Sequence, residues 1–283
     1  MSTLFGPSGN SKAFYDAGLK HTYQAPKWVS EMGLDAYEYS AGNGVTGSLE
    51  TFAKIGAEAK KYNIAMSFHT PYFISLSGAD PEKRLKSLSY IGQSLDASEA
   101  LGADIIVIHM GGATKMTREE GIDLSKDTVY KALGAFPDTK IRFGLETMGK
   151  LGQLGTLEEV LDICSLDPRL CPVVDFGHLN ARNIGNYFVA EDDYRRAFDT
   201  IGKTLGYEYA DTLHCHFSKI EYTDKGEKKH LTLEDTVYGP AFEPLMNALA
   251  KDGYSPRIIC ESDGTQARDA LIMKNYYMSQ IKE

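Results

Sequence analysis

Val173-Val174-Asp175-Phe176-Gly177-His178-Leu179-Asn180-Ala181-Arg182 is the stretch whose reading decides the fold. Two β-branched residues run into an acid, and a histidine follows three residues later. The apolar run reads as the end of a buried strand, and Gly177 as the point where the backbone turns sharply. Carboxylate and imidazole then leave one strand end and face one cavity. Asp and His in this arrangement are common metal ligands. The plainer alternative is a hydrogen-bonded Asp–His pair that orders a loop, and the choice depends on whether the pattern recurs.

It recurs along the chain. Residues 64–68 are apolar and end at His69-Thr70-Pro71-Tyr72. Residues 104–108 form an aliphatic run that ends at His109, before Met110-Gly111-Gly112. Residues 141–145 end at Glu146-Thr147, residues 211–217 carry His214 and His216, and residues 257–260 end at Glu261-Ser262-Asp263-Gly264. Residues 4–8 and 34–39 supply two further strands. Helical patterns stand between them: 24–32, 47–62 with Ser48 as cap, 81–101 stopped by Gly102, 118–136, 156–164 capped by Thr156, 191–205, 241–252 and 266–280. Residues 223–230 read as a polar loop.

Eight strand–helix alternations predict an α/β fold, a (β/α)8 TIM barrel with a metal site at the C-terminal face of the parallel barrel. An open doubly wound sheet is the alternative, and the count of eight favours closure. No linker rich in Pro, Gly or Ser interrupts the chain, so a single domain over residues 1–283 is expected.

Composition narrows the class. The hydrophobic fraction of 42% supports a sizeable core. No apolar run approaches the roughly 18 residues of a membrane helix, and the first residues lack a basic-then-apolar leader. Four cysteines (Cys164, Cys171, Cys215, Cys260) have no zinc-finger or redox spacing, and reduced thiols in a cytoplasmic protein are expected. The net charge of -9 argues against a basic nucleic-acid coat. It leaves room for nucleic acid at a cleft where divalent cations add positive charge.

In a parallel barrel the strand C-termini converge. Those ends carry His69, His109, Glu146, Asp175 with His178, His214 with His216, and Glu261, and the loop after the seventh strand adds His230. Six of the seven histidines fall in this set, with His21 the outlier. Barrel interiors are mostly aliphatic, so such a cluster needs something to satisfy it. A mixed His/Asp/Glu set suits zinc, manganese or iron. The donors outnumber the four of one tetrahedral zinc, which implies two or more metals with a bridging carboxylate. His214 and His216 share a strand face while Cys215 points the other way, toward barrel–helix packing. His216 is open as a ligand or a substrate contact. Lys225, Lys228 and Lys229 read as solvated charge beside Glu221 and Glu227.

The ordered motifs resemble the endonuclease IV family, the metal-dependent apurinic/apyrimidinic endonucleases of the xylose-isomerase-like barrels. His69-Thr70-Pro71-Tyr72 is similar to that family's His-Ala-Pro-Tyr. His109 before Gly111-Gly112, Glu146-Thr147, Asp175 with His178, His214 ahead of Ser218-Lys219, His230 and Glu261 follow in order. The resemblance implies a hydrolase of phosphodiester bonds that cuts 5′ to abasic sites in DNA repair, working as a monomer with two or three zinc ions, or manganese or iron. It implies His69 and His109 on one metal; Asp175, His214 and Glu261 on a second; Glu146 bridging them; and His178 with His230 on a third. Glu146 and Glu261 carry the catalytic roles, bridging the metals and orienting the water. His216, Tyr72 and Lys219 are possible further contacts, Tyr72 matching an aromatic that the family places beside the lesion.

Two departures stand out. The family's aspartate two residues before the last histidine is Lys228 here, a poor ligand, which puts the third metal in doubt. Residues 40–45 lack the arginine and bulky side chains that the family presents to DNA. A single-metal sugar isomerase or epimerase, with Glu146, Asp175, His214 and Glu261 as its ligands, is therefore the alternative reading.

Overall fold

The structure is a computed structural model that describes residues 2–281. Its eight-stranded sheet consists of β1 (Leu4–Pro7), β2 (Ala36–Ser40), β3 (Ala65–His69), β4 (Ile105–His109), β5 (Arg142–Glu146), β6 (Leu170–Asp175), β7 (His214–Phe217) and β10 (Arg257–Cys260). A separate antiparallel hairpin, β8 (Lys219–Thr223) and β9 (Gly226–Leu231), follows β7. The order β1-β10-β7-β6-β5-β4-β3-β2 is parallel throughout. The ring nearly closes where β1 meets β2. There Asp35 N–H donates to the Phe5 carbonyl at 2.8 Å, Gly9 N–H donates to the Glu38 carbonyl at 2.9 Å, and Ser8 bridges to Glu38. Gly6 permits this seam, because a Cβ on it would lie 1.9 Å from the Ala36 carbonyl oxygen.

The helices are α1 (Lys12–Asp16), α2 (Ala25–Glu31), α3 (Leu49–Tyr62), α4 (Pro81–Leu101), α5 (Arg118–Ala135), α6 (Leu157–Cys164), α7 (Phe176–Arg182), α8 (Glu191–Leu205), α9 (Tyr207–Asp211), α10 (Glu243–Asp252) and α11 (Gln266–Gln280). Local chemistry fixes their ends. Thr117 with Glu120 and Thr156 with Glu159 form capping boxes. Asp80 caps α4, with Pro81 in its first turn and Gly102 left-handed at its end. Among the described residues no helix is long and apolar enough to cross a membrane.

Strand alternation divides the molecule into layers. Outward residues such as Phe68, Ile106, Phe143, Val174, Cys215 and Ile258 join the helices in the main core. Ile105, Val107, Cys171 and Val173 form a small separate cluster inside the ring. Above that cluster the interior turns polar. All four cysteines are buried and unpaired, and burial raises the Cys215 thiol well above its usual range.

Three differences from the sequence reading lie in the backbone around β6 to β9. Gly177 does not mark a sharp turn. It lies in the first turn of α7, whose N-cap is Asp175, and the absent side chain is what matters: a Cβ there would sit 2.5 Å from the Ser218 carbonyl oxygen. The expected loop over 223–230 is largely the β8–β9 hairpin, where alternating Lys and Glu gave no apolar period to read. Residues 207–211 form α9, so β7 begins only at His214.

Arg182, at the end of α7, holds the loop after β5. Its Nη1 donates to the carbonyls of Met148 (3.1 Å) and Lys150 (2.8 Å), and its Nη2 donates to that of Gln153 (3.0 Å). Hydrogen bonds to charged donors contribute about 1.5–3 kcal/mol each, and partners left unpaired add cost. Arg182→Ala should therefore lower unfolding free energy by about 3 kcal/mol in urea titration. A change within about 0.5 kcal/mol, the scale of an ordinary surface substitution, would show that this clamp is not needed.

Candidate metal centre at the barrel mouth

Register places the donors at one height. His109 pairs with Glu146 across β4 and β5, and Asp175 pairs with His216 across β6 and β7. Glu146 is central and buried. Its Oε2 lies 2.9 Å from His109 Nε2 and 3.4 Å from His69 Nε2. Its Oε1 lies 3.0 Å from His216 Nδ1 and 3.4 Å from His178 Nδ1. Glu261 Oε2 stands 3.5 Å from His216 Nδ1. Five overlapping donor groups, each with atoms within 4.8 Å of one another, occur among the described residues: His69/His109/Glu146, Glu146/Asp175/His216/Glu261 and His178/Glu227/His230 around the mouth, His69/His216/Glu261 linking the first two, and Glu38/His214/His216 one layer below.

His214 is a correction to the sequence reading. It pairs in register with Val173, one layer below Asp175, and its Nε2 contacts Glu38 Oε2 at 2.9 Å. It does not join Asp175 and Glu261. His216, two residues on along the same strand face, does. The strand run 211–217 had no visible end from which to choose between them. Lys219 also turns away, its Nζ donating to the Asp235 carbonyl. Tyr72 stands at the rim of the cleft that holds His69, His109 and Glu146, 62% exposed.

Two residues were missed in the sequence. Glu38 is fully buried in β2, within a strand that reads as ordinary alternation. Glu227, rather than Lys228, stands with His178 and His230. It lies three residues before His230 rather than two, and its Oε2 is 3.6 Å from His178 Nε2. The β8–β9 hairpin is stitched to the loop after β5 by Glu227 N–H to Gly149 O (3.1 Å) and Leu151 N–H to Lys225 O (3.1 Å). Those bonds aim the glutamate inward, while Lys228 pairs with Glu221 on the outside.

The electrostatics of the bare site are those of a donor set short of positive charge. Burial, together with the charges of Glu261 and Glu146, raises the Asp175 carboxyl above its ordinary value, against the pull of His178. Burial opposes ionisation of Glu146 too, but the imidazoles of His109 and His216 hold its pKa well below normal. His69 is disfavoured as a cation by burial, yet Glu146 and the further acids raise its pKa to about 9. Glu146 Oε2 and Asp175 Oδ2 are buried without a hydrogen-bond partner. His69 Nδ1 is tied to the Thr70 carbonyl (2.9 Å) and His178 Nδ1 to the Thr147 carbonyl (3.0 Å), which leaves each Nε2 free as a donor. Imidazoles with their spare nitrogen held, turned toward buried acid oxygens, fit divalent metal ions of the zinc, manganese or iron type.

Beside this centre a second cleft of about 490 Å³ opens between the loops after β1 and β2, sharing Glu261 and His230 with it. Ser8, Asn10, Ser40 and Gln266 line it, and none of its lining residues is Lys or Arg.

A nearly closed ring of eight parallel strands with imidazoles and carboxylates gathered at its mouth defines a TIM barrel with a candidate metal centre. The chain belongs to the xylose isomerase-like TIM barrel family, whose profile matches residues 26–276. An uncharacterized protein of Methanocaldococcus jannaschii is 28% identical over 279 residues, 96% of each chain. A probable endonuclease 4 of Mycoplasma pneumoniae is 28% identical over 193 residues, 66% of this chain and 63% of that protein. Among solved structures, a D-tagatose 3-epimerase-like protein superposes with TM-score 0.73 at 20% identity, covering 99% of this chain and 98% of its own. Endonuclease IV from Thermus thermophilus does so with TM-score 0.69 at 16% identity, covering 99% of each. These two likenesses establish the fold alone.

Proposed function

We propose that the chain is a multi-metal phosphodiester hydrolase of the endonuclease IV kind, acting 5′ to abasic sites in DNA. The observation that carries this reading is the third donor set, His178/Glu227/His230, standing next to two others that share Glu146. A single-metal isomerase has no use for it. Three cations at one mouth suit a phosphate, whose attacking, leaving and non-bridging oxygens all carry or develop negative charge.

Bound cations would supply positive charge to the phosphate and lower the pKa of a water toward neutrality. The chain's own residues do the rest. Glu146 would be shared by two cation positions. His69 and His109 complete one set, and Asp175, His216 and Glu261 complete the other. Glu261 is the partly exposed acid of its set, placed to orient the water that attacks phosphorus. As the new P–O bond forms, the bond to the 3′ oxygen breaks, and that oxygen leaves as a hydroxyl. Lys150 lines the same cleft and stands ready for a neighbouring phosphate, and Tyr72 on the rim offers a face for a base or sugar.

The purified protein should nick an abasic duplex on its 5′ side, and chelation should stop it. Intact duplex after full loading with zinc or manganese would reject the reading. Glu227→Ala should remove one cation per chain and leave two, counted by elemental analysis after dialysis. An unchanged count would show that the hairpin glutamate is not a ligand.

One observation favours a second reading, a sugar isomerase or epimerase. The cleft between the β1 and β2 loops carries hydroxyl and amide groups with no cation, which suits an uncharged polyhydroxy ligand. One metal ion per chain would support this reading, and two or three the hydrolase.

A further inference from the structure

Each histidine at the mouth needs its spare ring nitrogen held if the other is to face a cation. For His69 and His178 the backbone does this, through the carbonyls of Thr70 and Thr147. His216 has no such recourse, because it lies within β7 between β6 and β10, where strand pairing takes up the carbonyls. Its Nδ1 faces Glu146 Oε1 at 3.0 Å. Its Nε2 points down into the barrel, 3.0 Å from Glu38 Oε1. Both atoms are buried and neither makes a hydrogen bond of good geometry among the described residues, so each is the other's nearest available partner.

Glu38 is itself held from behind. Its Oε2 accepts from Ser67 Oγ at 2.8 Å and meets His214 Nε2 at 2.9 Å. All four residues are buried, and an acid is costly at such a depth unless it is paired.

We infer that Glu38 is a positioning residue for the metal centre: it receives the Nε2 proton of His216 and commits Nδ1 to the cation of Glu146, Asp175 and Glu261, while Ser67 and His214 fix the acid. The inference concerns how the donor set is built. It depends on a cation being bound there, and is independent of whether the substrate is DNA or a sugar.

The test uses the full-length protein with cobalt(II) as the probe, reading stoichiometry, affinity and the visible absorption bands of the bound ion. Glu38→Gln removes the charge at nearly constant shape. It should weaken one cation of the cluster by about 10- to 100-fold, the usual effect of losing such a partner, and shift that ion's bands. The cations of the other two sets should keep their affinity. A purely structural role predicts a lower melting temperature with unchanged bands and affinities, and that result overturns the inference. If Glu38→Gln does not fold, Ser67→Ala decides, since it removes only the hydroxyl behind the acid. A several-fold loss at the same cation supports the inference, and parental affinity overturns it. A parent protein that binds no cobalt overturns this inference and the multi-metal reading together. Failure to nick DNA with the cobalt results intact removes only the proposed substrate.

Discussion

Glu146→Gln is expected to abolish hydrolysis, with kcat falling by at least about 10³-fold. Glu146 belongs to two donor sets at the mouth and lies within 3.5 Å of four imidazoles. A glutamine offers one oxygen where the carboxylate offers two, and it carries no charge. Both cations that share Glu146 should be lost or loosened together, so the metal count should fall toward the single ion of His178, Glu227 and His230. The substitution should leave the apo fold standing, because the side chain keeps its volume. Elemental analysis and single-turnover nicking, run on the same preparation, check both halves. Full metal content with normal turnover would mean that Glu146 is a wall of the cleft and no more.

The second large effect is a reversal of pH dependence on removing metal. Stripped of cations, the site holds its imidazoles by the acids around them. The His69 pKa is raised from 6.5 to about 9, burial being outweighed by Glu146 and the neighbouring acids, and His178 and His216 are raised as well. The folded state then binds more protons than the unfolded state above pH 6.5. That contribution is fully present below 6.5 and is lost as pH rises through about 9, at most about 3 kcal/mol for His69. Loaded protein should behave in the opposite sense, because ligation requires deprotonated imidazoles and strengthens as protons leave. Melting temperatures in chelator should fall from pH 6.5 to about 9, while those in excess zinc should rise or hold. Parallel curves would mean that these histidines do not meet the cations.

Much of the barrel was legible because aliphatic runs ending in His, Asp or Glu are hard to produce by any other fold. The strand ends His69, His109, Glu146, Asp175 and Glu261 stood where each apolar run stopped, and the structure brings their side chains together. The choice between His214 and His216 was not legible. Both share a face with period two, and only the register against Val173 and Asp175 ranks their depth. Glu227 was hidden for a different reason. Its hairpin is built from charged residues that give no apolar period, and its direction comes from hydrogen bonds to the Gly149–Leu151 loop. Glu38 sits mid-strand, where a polar residue ordinarily reads as the solvent face. Only barrel closure turns that face inward.

The most direct test of the central claim is a crystal structure of zinc-loaded protein with anomalous difference maps collected at the zinc edge. The donor geometry predicts three peaks at the barrel mouth: one by His69 and His109, one by Asp175, His216 and Glu261, with Glu146 between these two, and one by His178, Glu227 and His230. No peak at the mouth, or a single peak with Glu227 and His230 turned away from it, would contradict the multi-metal centre.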